Sequence, residues 1–186
     1  MSAASDYLAQ LTQVVQRLPE EKVQDLVDTI AEAYESNRQV FVLGNGGSAA
    51  AASHLACDLQ KGIGGPAPKR FKAMALTDNV PIMTAWANDS DYSEIFARQL
   101  DTWVNPGDLV VAISASGNSP NVIKAVELAN ERGAQTYGLT GFDGGKLARI
   151  AHKSIVAPSN NMQHVEDVHV ILAHLVYSCL RKIIGC

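Results

Sequence analysis

Two short stretches of this 186-residue chain concentrate residue types that grip an anion. The first is GNGGSAAAASHLACDL, beginning at Gly44. Its glycines let the backbone turn sharply and approach a ligand closely. Ser48 falls where a helix should begin, so its hydroxyl either caps that helix or meets an anion at its positive end. The second stretch is ISASGNSPNVIKAVELANERG, beginning at Ile113. Ser114, Ser116 and Ser119 surround Gly117 and Asn118, and Pro120 suits the first turn of a helix. Three hydroxyls and the free N–H groups of a helix start form a neutral cradle for phosphate. No lysine is needed, which separates this loop from a P-loop. A dinucleotide fingerprint is excluded, because G-x-G-x-x-G requires glycine where Ala49 stands; no nucleotide cofactor is expected. A plainer reading remains open for both stretches: a polar turn closed by a helix cap.

Such loops need strands to deliver them. Apolar runs bounded by turn residues predict strands at 39–44, 71–77, 108–114, 135–141 and 154–158. Helical signals fill the intervals at 48–61, 80–87, 91–103, 119–132 and 144–151. Strands alternating with helices imply an α/β fold whose parallel sheet is covered on both faces. In that architecture ligands bind beyond the carboxyl ends of the strands, where both special loops fall. Two amphipathic helices precede the first strand, up to about Asn37. They carry Leu8, Leu11, Val14, Val15 and Leu18, then Val23, Leu26, Val27, Ile30, Ala31 and Tyr34 beyond Pro19. They either cover the sheet or pack on another subunit. The last segment, Gln163 to Ile184, is a long helix whose apolar residues cover more than one face, which suggests burial. Residues 1–186 are expected to form one domain, with 1–37 a helical extension used in packing.

Composition narrows the class. Hydrophobic residues make up 47 % of the chain and aromatics only 6 %, so the core must be built mainly of Ala, Val, Leu and Ile. The net charge of −4 comes without a run of like charges, which argues against a general nucleic-acid surface. Cys57, Cys179 and Cys186 are too few and unpaired in spacing for a disulfide framework. Neither a signal sequence nor a membrane span is visible, so a soluble cytoplasmic protein is expected.

Taken together, GNGGS and SxSGxS, each after a strand, resemble the SIS (sugar isomerase) domain. More closely the chain is similar to the phosphoheptose isomerases. The likeness includes the two leading helices, Asn88–Asp89, ISASGNS, LTGFDGG at 139–145 and a long last helix with acidic and histidine residues. It implies a three-layer, doubly wound, five-stranded parallel sheet of flavodoxin-like type, and a homotetramer with active sites between subunits. It implies an aldose–ketose isomerisation of a phosphosugar, sedoheptulose 7-phosphate. By the resemblance, Asn45, Gly46, Gly47 and Ser48 line the sugar, with Asn88 and Asp89. Ser114, Ala115, Ser116 and Ser119 hold its phosphate; Ala115 stands where threonine is common, so one hydroxyl is lost. The resemblance also implies a zinc ion on His54, Asp58, Glu166 and His174. Asp58 replaces glutamate and Glu166 replaces glutamine of the family pattern.

Spacing bears on that set independently. His54 and Asp58 are four residues apart and share a helix face. Glu166 and His174 are eight apart, about 12 Å along a helix. One straight helix does not bring both to one ion, so two subunits are expected to contribute them. Asp58 is expected to act as base and His174 as its acid partner, with Glu166 a reserve base. His152, His164 and His169 are expected at the surface or in packing, Asp167 as a solvated charge and Cys57 as core filling. The rival reading is a non-catalytic SIS module that binds a phosphosugar, or a partner protein, as a regulator. An isomerase for another phosphosugar is a third.

Overall fold

The computed structural model describes residues 2–63 and 69–185; Cys186 lies outside them. Five strands form one sheet: β1 Gln39–Gly44, β2 Lys72–Ala75, β3 Leu109–Ile113, β4 Gln135–Thr140 and β5 Lys153–Val156. Every pairing is parallel and the order is β2-β1-β3-β4-β5. The chain leaves β1 toward one edge and returns at β3 to build the other. The β1/β3 boundary is therefore the switch point, where two loops diverge and leave a crevice.

Residues Val40 to Leu43 are fully buried because both faces of the strand are covered. Val40 and Val42 face one core, with Leu26, Leu55 and Leu172. Phe41 and Leu43 face the other, with Phe96, Leu100 and Val122. The first layer holds α1 Ala3–Gln16, α2 Glu20–Glu35, α3 Gly47–Cys57 and α8 Met162–Ile184. The second holds α5 Ala97–Trp103, α6 Pro120–Glu131 and α7 Leu147–Ile150. Between them in sequence, α4 Val80–Asp89 buries no residue fully. Of the two leading helices, α2 covers the sheet with Leu26, Val27 and Ile30. By contrast α1 buries Val14 alone and leaves Leu8 62 % exposed.

Several expectations are corrected. The helix predicted over 91–103 is broken into a 3-10 turn, Tyr92–Glu94, and α5. Asp91 starts that turn by accepting a hydrogen bond from the Ser93 N–H at 2.8 Å. The predicted helix at 144–151 shrinks to the single turn of α7, because Gly144 and Gly145 take positive φ of 85° and 57°. The helix predicted to 61 is regular only to Cys57, and Asp58–Gly62 widens into a π-helical turn. Cys57 is exposed rather than packed in the core. Asp167 is no free surface charge, because the Tyr7 hydroxyl donates to it and ties α1 to α8. None of the described helices is long and apolar enough to cross a membrane.

His169 is buried under the carboxyl edge, as packing. Its Nε2 meets the Thr140 carbonyl at 3.2 Å and its Nδ1 has no partner. Burial pushes its pKa down to about 4, while the Thr140 carbonyl opposes the shift. The unfolded chain then takes up its proton first as pH falls below about 6.5. Stability contributed by neutral His169 is complete above that value and is lost as pH falls toward 4. Urea unfolding at pH 7.5 and pH 4.5 should show a loss approaching about 3 kcal/mol from this group. The loss should shrink in His169→Gln.

Candidate active site

At the switch point β1 and β3 run side by side to their ends, with Gly44 opposite Ile113. A Cβ on Gly44 would lie 2.8 Å from the Ile113 carbonyl oxygen and 2.8 Å from Ser48 Cβ. Only glycine lets α3 start this close to β3. Gly46, at φ 54°, occupies the cap position of α3 and offers no side chain. Ser48 therefore lies inside the first turn rather than capping it, buried at 5 % exposure and lining the cleft below.

Across the crevice, Ser114 follows β3 and Ser119 occupies the N-cap position of α6. The Ser119 hydroxyl does not cap the helix; it meets the Ser114 hydroxyl at 3.2 Å. The loop between them is braced both by its own turn and from outside. Gly117 N–H donates to Ser114 O at 2.9 Å, Leu147 N–H to Gly117 O at 2.8 Å and Gly141 N–H to Ala115 O at 2.9 Å. Lys146 N–H donates to Asn118 Oδ1 at 3.0 Å. Here the LTGFDGG stretch acts as a wall: a Cβ on Gly117 would fall 2.1 Å from the Gly144 carbonyl oxygen.

These loops enclose a cleft of about 150 Å3 lined by Asn45, Ser48, Ser114, Ala115, Ser116 and Ser119, with Met162 and Glu166 from α8. Among its lining residues the one charged side chain is an acid, Glu166. Its carboxylate packs on Gly47, where a Cβ would be 2.6 Å from Oε2. That places an anion at the start of α3, where the helix dipole favours it. Asn88 and Asp89 are not brought to this cleft. They end α4, exposed, with Asn88 Nδ2 donating to Asp89 Oδ1 at 2.8 Å.

Farther along the α3–α8 seam a second group converges. His54 Nε2 stands 2.8 Å from His174 Nε2, their rings edge to face, and 3.3 Å from Asp58 Oδ2. All three come from one chain, so no neighbour is needed to bring His174 to His54. Asp58 Oδ2 is buried without a hydrogen-bond partner, because its approach to His54 lacks hydrogen-bond alignment. One ligand atom from each residue falls within 4.8 Å of the others, a donor set of two nitrogens and an oxygen suited to a divalent metal such as zinc. Asp58 also opens the π-helical turn, a distortion frequent at functional sites. Glu166 lies eight residues before His174, at the cleft rather than with this group.

Two contributors escape sequence reasoning, Asn121 and Tyr92, both hydrogen-bonded to Asn45. Asn121 lies 76 residues from Asn45, and no local pattern announces such a pair. Gly117→Ala should cost about 2–4 kcal/mol in urea denaturation, since backbone blocks the new methyl and φ is 64°.

Comparison with known proteins agrees with this geometry. The SIS domain family matches residues 6–141. Phosphoheptose isomerase of Aquifex aeolicus is 37 % identical over 171 residues, 88 % of this chain and 85 % of that protein. That of Geotalea daltonii is 39 % identical over 168 residues, 87 % of this chain and 83 % of that protein. The solved phosphoheptose isomerase of Neisseria gonorrhoeae superposes with a TM-score of 0.89 at 29 % identity, covering 96 % of this chain and 97 % of that one. With two serine loops across a β1/β3 crevice and relatives matched over most of their length, this chain belongs to the SIS-domain family, among the phosphoheptose isomerases.

Proposed function

We propose that this chain interconverts sedoheptulose 7-phosphate and an aldoheptose 7-phosphate. The observation that carries the reading is the pairing, on one α3–α8 seam, of a hydroxyl-lined cleft with three convergent acid–base side chains. Ser114, Ser116 and Ser119 grip the phosphate through neutral donors, fixing the substrate without bonding to it covalently. Ser48 and Asn45 orient the sugar from the opposite loop; Asn88 and Asp89, at the end of α4, have no part in this cleft.

The reaction moves one proton between neighbouring carbons. In the opened ketose, the C2 carbonyl acidifies the C1 hydrogen. Asp58 removes that proton and leaves an enediolate, then returns it to C2, while His174 moves a proton between the two oxygens. Nothing is oxidised or reduced overall. His54, Asp58 and His174 are the side chains that would hold zinc, whose Lewis acidity polarises the sugar oxygens. The unpartnered Asp58 Oδ2 supports this fit. Glu166, about 12 Å along α8 from His174, serves the cleft within its own chain. A ligand or reserve-base role for it falls to the site of another copy, as in a homotetramer with interfacial sites. Free Cys57 and Cys179 suit a reducing cytoplasm.

Purified protein, assayed with sedoheptulose 7-phosphate with and without added zinc, should turn the sugar over. Asp58→Ala and His174→Ala should each lower kcat by about 100-fold or more, and elemental analysis should show less bound metal. Tight sugar binding without turnover by the wild type would replace the enzyme with a phosphosugar-binding regulator.

A further inference from the structure

Asn121 is 1 % exposed, one residue into α6 beyond Pro120. A buried carboxamide must find partners for its oxygen and its two N–H groups. Its Oδ1 accepts from the Val122 backbone N–H at 3.0 Å, which decides which end of the amide is oxygen. That orientation dictates the next. The same Oδ1 accepts from Asn45 Nδ2 at 2.8 Å, and Asn121 Nδ2 donates back to Asn45 Oδ1 at 2.8 Å. A third group joins when the Tyr92 hydroxyl donates to Asn45 Oδ1 at 3.1 Å.

The consequence for Asn45 follows by counting. Its oxygen has two lone pairs and receives two donors. One of its two N–H groups goes to Asn121. The second N–H is left for the serine-lined cleft, whose wall Asn45 forms. We infer that Asn121, assisted by Tyr92, is a positioning residue: it makes Asn45 present a fixed N–H donor, never its carbonyl, to an oxygen of the bound sugar phosphate. The same tie locks the loop after β1 to the start of α6, so both walls of the cleft hold one spacing. The inference rests on reading the cleft as the phosphosugar site.

Asn121→Asp keeps the shape and the acceptor for Val122 but removes the donor to Asn45. The new carboxylate draws both Asn45 N–H groups and turns the donor away from the cleft. Binding of sedoheptulose 7-phosphate is read by calorimetry, which works with or without turnover. KM and kcat are read where turnover occurs. Asn121→Asp should weaken binding about tenfold and raise KM alike, with kcat within about threefold of wild type. Tyr92→Phe, at a residue 56 % exposed, should fold normally and weaken binding about threefold. In Asn45→Ala, which removes the donor, adding Asn121→Asp should weaken binding no further. An additive loss in that double variant would mean a general structural role and overturn the inference. So would normal binding by Asn121→Asp or by Tyr92→Phe while Asn45→Ala is impaired, leaving the cleft reading intact. Normal binding by Asn45→Ala would remove both.

Discussion

Everything at the carboxyl edge depends on how closely β1 approaches β3 at Gly44. Their parallel pairing runs to the last residue of each strand, Gly44 against Ile113. A side chain at Gly44 would push α3 off the Ile113 carbonyl. Because that position is bare, Ser48 on one loop and Ser114 on the other face each other across a single small cleft. The hydroxyl of Ser119, free of capping duty, adds to the same wall. Neither loop alone makes a site, and the strand register makes them one.

The electrostatics of the seam are unusual for an anion site. Among the described residues its cleft has no lysine or arginine in its lining, and its one charge is the Glu166 carboxylate. Affinity for a phosphate must therefore come from hydroxyls and peptide dipoles, which bind through geometry more than net charge. Under the proposed function, Glu166 against Gly47 would keep a ligand anion on the serines and away from the start of α3. At the far end Asp58 has the opposite role. It sits with two imidazoles, and its buried Oδ2 has no hydrogen-bond partner.

Much of this was legible in the sequence. Four of the five strands fall within the predicted runs and β5 overlaps its run, starting one residue early at Lys153, because buried parallel strands read as unbroken apolar stretches. The serine loops were visible by composition. What failed was local geometry and long-range pairing. Ser48 looked like a helix cap, yet Gly46 at positive φ starts the helix earlier. The eight-residue gap from Glu166 to His174 says that one helix does not bring both to one ion, but not which of the two joins His54 and Asp58 within a chain; it is His174. Parallel packing of α3 on α8 brings His174 to His54 across 120 residues of sequence, and helical periodicity carries no such information. Asn121 was silent for the same reason.

The widened turn at Asp58–Gly62 marks one residue more than a regular helix would hold. Beyond it, every side chain is rotated relative to the seam set by Gly47 and His54. Gly62 meets Tyr177 only because of that offset; a Cβ there would sit 2.3 Å from the ring. Shortening this stretch by one residue would leave Asp58 one turn from His54 but rotate the residues after it, turning Gly62 away from the Tyr177 ring.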